Sequence, residues 1–137
     1  MGILIVNNDF YYSVRLMLHH PVINPSEITK FLGMESDYEH SKINYTGRMN
    51  HYWNYSSYTI GEENFFEEIE DILNWLVKEK KEFIDYFIST EGEFMIIIQL
   101  PGGLTSISLI SKSIMEKSLN LGISIGVEVF PNLKRPS

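Results

Sequence analysis

The sequence predicts an α+β domain, a ferredoxin-like four-stranded sheet made of two βαβ units, with helices on one face and an additional long central helix. Three observations predict it. The apolar period switches along the chain between two residues and 3.6. The resulting order is strand, helix, strand, long helix, strand, helix, strand. The outer parts are also alike: FYYSVRLML, a helix ending in FLG and a strand are answered by FMIIIQL, a helix ending in NLG and a strand. Right-handed crossovers then place the connecting helices on one side of the sheet.

Phe10 to His19 alternates as a strand does. Phe10, Tyr12, Val14, Leu16 and Leu18 share one face, and Tyr11, Ser13, Arg15, Met17 and His19 the other. The next helix has the clearest punctuation in the chain. Asn24 is its N-cap, Pro25 fits the first helical position, and Glu27 completes a capping box. Ile28, Phe31 and Leu32 form the apolar stripe, and Gly33 stops it. Glu35 to Asn50 is polar and aperiodic, which predicts a long loop. In the strand His51 to Tyr58, His51, Trp53 and Tyr55 face one way and Tyr52, Asn54, Ser56 and Tyr58 the other. Gly61 to Thr90 reads as the long helix, with Phe65, Phe66, Ile69, Ile72, Leu73 and Leu76 at helical spacing. Its acidic start and later lysines suit the helix dipole. The polar run KEKKE marks where it bends or breaks before Phe83, Ile84, Phe87 and Ile88. Glu93 to Leu100 is a more buried strand, ended by the turn Pro101 to Gly103. Ser108 to Leu121 is the last helix, stopped by Gly122, and Ile123 to Phe130 the last strand. A basic tail follows from Pro131.

At 137 residues a single domain is expected, spanning residues 1–137 with an ordered core over about 10–131. The chain has 11 Lys and Arg against 18 Asp and Glu, a net charge of −7. That argues against nucleic acid, whose binding rests on phosphate neutralisation by cations, and suits a basic protein partner. Cysteine is absent, so thiolate metal sites, disulfides and Cys nucleophiles are excluded. The apolar run Ile3 to Val6 is too short for a signal segment or a membrane span. Val6 stands where a myristoylation motif needs Ser or Thr. The expected setting is cytoplasmic.

No catalytic set stands out, and no cofactor is expected. His19, His20, His40 and His51 lack any metal-ligand spacing, so no metal site is expected. No G-x-S-x-G elbow occurs. The carboxylates of EENFFEEIED cover a solvated helix face rather than the partly buried place an acid–base pair needs. The turn PGGLTS has neither the P-loop lysine nor a dinucleotide fingerprint.

The remaining candidate is a surface. With helices on one face, the other would carry Tyr11, Arg15, Met17, Tyr52, Asn54, Ser56, Tyr58, Met95, Ile97, Gln99, Glu128 and Phe130, unless the polar loop or long helix covers part of it. This mixture suits a protein interface or self-association. Arg15 and Tyr52 are its candidate binding residues. Arg48 and His51, where the loop enters the strand, are candidates for holding an anion, and a salt bridge competes for that arginine.

With these residues placed, Phe10 to Phe130 resembles the bacterial domain of unknown function family 4279. The likeness rests on INPSEITKFLGM, on Gly47 with Trp53, on the acidic-start helix, and on SISLISKSIMEKSLNLGISIGVEVF. The segment SDYEHSKINYTG replaces the basic, proline-containing stretch usual in that family. The resemblance implies a fold and no fixed activity. Similar proteins look like accessory or immunity-type proteins found beside bacterial toxins. The functional expectation is therefore a non-enzymatic interaction module, with a small-molecule-sensing regulatory domain as the alternative, its pocket between the sheet and the polar loop.

Overall fold

The computed structural model describes residues 11–60, 65–101 and 110–130. Among them are strands β1 (Tyr11–His20), β2 (Tyr38–Ile43), β3 (Met49–Ile60), β4 (Glu93–Pro101) and β5 (Ser124–Phe130). The helices are α1 (Pro25–Leu32), α2 (Phe65–Glu79), α3 (Lys81–Ser89) and α4 (Lys112–Leu121). The strands form one mixed sheet in the order β2-β3-β1-β4-β5. β1 runs antiparallel to both of its neighbours, β2 is antiparallel to β3, and β4 is parallel to β5.

The alternation of β1 decides where the core sits. Tyr12, Val14, Leu16 and Leu18 are buried on one face beside Trp53 of β3 and Phe94, Ile96 and Ile98 of β4. Helix residues Ile28, Leu32, Ile69, Leu73, Leu76, Ile84 and Phe87 close over them. Each such side chain contributes roughly 1.5–3 kcal/mol when fully removed from water, so this face holds the fold together. The Trp53 indole N–H donates to Thr29 Oγ1 at 2.9 Å, fixing α1 on the sheet.

Helix ends follow their punctuation. Asn24 caps α1 by accepting from the Glu27 amide at 3.0 Å. Gly33 and Gly122 end α1 and α4 with φ of 72° and 74°, the left-handed conformation that glycine adopts without a Cβ penalty. Between α2 and α3 the chain leaves helical geometry at Lys80, whose φ is −127°. The expected long central helix is thus two helices, broken inside KEKKE.

The ferredoxin-like four-stranded sheet is overturned. The sheet has five strands because the expected loop Glu35 to Asn50 contains β2 and the start of β3, joined as a hairpin. β2 is a sheet edge and every residue but His40 is exposed. Neither face of it is dry, so it shows no apolar alternation. Its strand conformation comes from the ladder to β3 and from the turn. There the Asn44 side chain accepts from the Thr46 and Arg48 amides, each at 3.0 Å. The two similar βαβ units are overturned as well. β1 and β3, the strands expected to flank α1 in the first unit, are neighbours but pair antiparallel, and among the described strands only β4–α4–β5 is a parallel crossover.

Several expectations fall on positions outside the described residues. These are the N-terminal apolar run, Phe10, the first turn of the long helix, Gly102 and Gly103, the start of the last helix and the basic tail. No helix among the described residues is long and apolar enough to cross a membrane.

Candidate functional site

The sheet face opposite the helices carries no described helix. Register places Arg15 against Ser56, Met17 against Asn54 and His19 against Tyr52 on this face. From β4 and β5 it receives Met95, Ile97, Gln99 and Glu128. From β2 it receives Tyr38 against Asn54, His40 against Tyr52, and Lys42 against Asn50.

Where β2, β3 and β1 meet, the face forms an open cleft of about 710 Å³ lined by Arg15, Met17, Asp37, Tyr38, His40, Tyr52, Asn54 and Ser56. Ligand sites commonly measure about 300–1,000 Å³. Its wall is aromatic. The His40 and Tyr52 rings meet edge to face at 5.0 Å, and Tyr38 and His40 lie 5.6 Å apart. The Tyr38 hydroxyl is 3.1 Å from His40 Nδ1. His19 approaches Tyr52 at 5.3 Å, and the Lys42 ammonium stands 5.8 Å from the Tyr52 centroid. Such ring contacts hold the side chains at low conformational entropy.

Its floor is polar. Half-buried Arg15 donates from Nε to Ser56 Oγ at 3.3 Å. Ser56 in turn donates its amide to Asp37 Oδ2. The two charges therefore flank one residue without touching. Among the described residues neither Arg15 nor Asp37 belongs to an ion pair. The strand neighbours explain this for Arg15, whose cross-strand partners are Ser56 and Ile97. In a chain of net charge −7, an arginine left without a carboxylate is notable. Guanidinium groups favour planar, two-point hydrogen bonding to oxyanions.

Among the described residues two buried side-chain atoms lack a hydrogen-bond partner, Ser13 Oγ and His19 Nδ1, and both belong to the same side of β1. The helix-bearing side contrasts with this. His20, 1 % exposed, accepts at Nδ1 from the Val22 and Ile23 amides at 3.0 and 2.9 Å. This leaves its proton on Nε2, 2.7 Å from Thr90 Oγ1, which donates onward to the Tyr86 carbonyl. Burial, opposed by Glu91, holds the His20 pKa below its ordinary value. Glu68 accepts from the Tyr12 hydroxyl at 3.0 Å and from Ser57 Oγ at 2.7 Å.

The structure brings two of the four sequence candidates together, Arg15 and Tyr52. His51 sits at the other face of β3, where Ser41 Oγ lies 2.6 Å from its Nδ1. Arg48 follows the hairpin turn and pairs with Glu91. Sequence reasoning missed Asp37, Tyr38 and His40 because it read them as loop. The signal was present: two polar runs flank the Asn44 to Gly47 turn, the spacing of a hairpin. No group of three or more histidine, aspartate or glutamate side chains suited to a metal occurs among the described residues.

Two other hollows are weaker candidates. One, at the α2–α3 break, is lined largely by solvated lysines and glutamates. The other is an apolar crease of about 380 Å³ between β1, β3 and α2, lined by the core residues Val14 and Leu16 and by Ile72, which packs against the core. Comparison with protein-family models, with curated proteins and with solved structures finds no match.

Proposed function

We propose that this chain is a non-enzymatic interaction module whose working surface is the sheet face opposite the helices. The observation that carries the reading is the cleft there, in which tyrosine and histidine rings line the wall beside an arginine that has no ion pair among the described residues. Aromatic residues and arginine dominate binding energy at protein interfaces. The occupant is a segment of another protein. An immunity-type role is what the expected likeness to family 4279 would imply, and a basic partner agrees with the net charge of −7. The test is affinity capture on the immobilised chain, followed by hydrogen exchange of the purified complex. Protection concentrated on β1 and β3 with loss of capture in Tyr52→Ala is the expected result. Protection confined to α2 to α4, with capture unchanged in Tyr52→Ala, refutes it.

A second reading is favoured by the volume and lining of the cleft: a regulatory domain that senses a small molecule. It predicts a ligand-dependent rise in melting temperature across a metabolite panel.

A further inference from the structure

Resting on that second reading, we propose that the Arg15 cleft binds a small amino-acid-type zwitterion with a planar side group. Three features of one cleft lead there. Arg15 offers a guanidinium whose hydrogen-bond partner among the described residues is a neutral hydroxyl, Ser56 Oγ. Asp37 offers a carboxylate held at Oδ2 by the Ser56 amide. Tyr38, His40 and Tyr52 supply ring surfaces beside them.

The charge arrangement selects the ligand class. An anion alone would meet Arg15 and also the field of Asp37. A cation alone would meet the reverse. A molecule with a carboxylate and an ammonium a few bonds apart satisfies both at once. The guanidinium takes the carboxylate through parallel N–H···O bonds, and Asp37 takes the ammonium. Both protein charges are already positioned by the backbone ladder of β1, β2 and β3, which limits the ordering cost of binding. The planar group then lies against the aromatic wall, beside the apolar Met17 side chain that also lines the cleft.

The site is built so that each charge can be removed with its local bond retained. Arg15→Gln keeps a donor for Ser56 Oγ. Asp37→Asn keeps an acceptor for the Ser56 amide. Titration calorimetry of the full chain with L-phenylalanine, L-tyrosine, L-tryptophan and L-histidine tests the proposal, each alongside its deaminated acid and its decarboxylated amine, which for phenylalanine are 3-phenylpropionate and phenethylamine. Circular dichroism confirms that each variant folds. At least one amino acid should bind, and the single-charge relative of that ligand should bind about tenfold or more weakly, as for a lost charged hydrogen bond. Arg15→Gln should erase the preference for phenylalanine over phenethylamine, and Asp37→Asn its preference over phenylpropionate. Absence of binding by all four amino acids at millimolar concentration overturns the proposal. If a single-charge compound binds as tightly as phenylalanine and depends on Arg15, the zwitterion assignment fails while small-molecule sensing stands. If phenylalanine binds equally to both variants, the cleft is not its site and the assignment fails.

Discussion

Replacing His20 by asparagine separates two jobs that the imidazole does at once. Its Nδ1 accepts the Val22 and Ile23 amides as the chain leaves β1, and its ring fills space beside Phe87, 4.8 Å away between centroids. Asparagine Oδ1 stands near the position of Nδ1, so His20→Asn keeps the acceptor and loses the Nε2 bond to Thr90 and some packing. The expected cost is about 1–2 kcal/mol. His20→Ala leaves the buried Ile23 amide unpaired and removes the whole ring, so about 3–4 kcal/mol is expected. Urea unfolding followed by the fluorescence of Trp53 and Trp75 measures both. The pH dependence adds an independent check. Burial lowers the His20 pKa below 6.5, against Glu91 and Glu27 and with His51 and His19. The fold therefore prefers the neutral ring, and the unfolded chain takes up the proton first. This contribution to stability is whole above pH 6.5 and is lost as pH falls through the lower folded-state pKa. Stability of the native chain should fall more steeply than that of His20→Asn over this window. Equal slopes would refute the buried, neutral imidazole. Equal costs for the asparagine and alanine variants would refute the role given to Nδ1.

Other perturbations test other joints. A Cβ at Gly92 would come within 2.5 Å of the Phe87 ring and carbonyl, so Gly92→Ala should cost about 1–3 kcal/mol in a thermal melt and displace the α3–β4 connection. Thr29→Val keeps shape but strands the Trp53 indole N–H; a loss of about 1–2 kcal/mol is expected, and much less when Trp53 is also replaced by phenylalanine. Glu70 accepts from Ser113 and from Lys117 at 3.0 Å, and these bonds hold its carboxyl below the ordinary 4.5. That link between α2 and α4 is complete above pH 4.5 and weakens as pH falls through the lowered value. Ser113→Ala should raise the Glu70 titration point in carboxyl NMR.

Parts of this fold can be read directly from the chain because their causes are local. The α1 boundaries follow from Asn24, Pro25 and Gly33, each of which acts on its own turn. The break at Lys80 follows from five consecutive charged residues with no apolar position to pack. The division of β1 and β3 into a core face and a second face follows from the two-residue period. Strand order has no such local cause. β1 finds β4 across more than seventy residues, and no spacing in the sequence encodes that pairing. β2 fails for a different reason. An edge strand wet on both faces needs no alternation, so YEHSKI looks like loop until β3 pairs with it.

The missed strand and the missed site residues are one event. Read as loop, Tyr38 and His40 have no direction; read as a strand in register with Asn54 and Tyr52, they form the wall of the cleft. Asp37 gains its place in the same way, because its amide donates to the Asn54 carbonyl at 2.8 Å while its carboxylate receives Ser56. Arg15 could be put on the right face by parity alone, and so could Tyr52. What gathers them into one cleft is the hairpin, which brings a carboxylate and two more rings to an arginine that its own strand neighbours leave without a counter-ion. The cleft therefore lies where the local signal is poorest. Edge strands escape the core's demand for apolar residues, and that freedom lets β2 carry the polar and aromatic groups a binding surface needs.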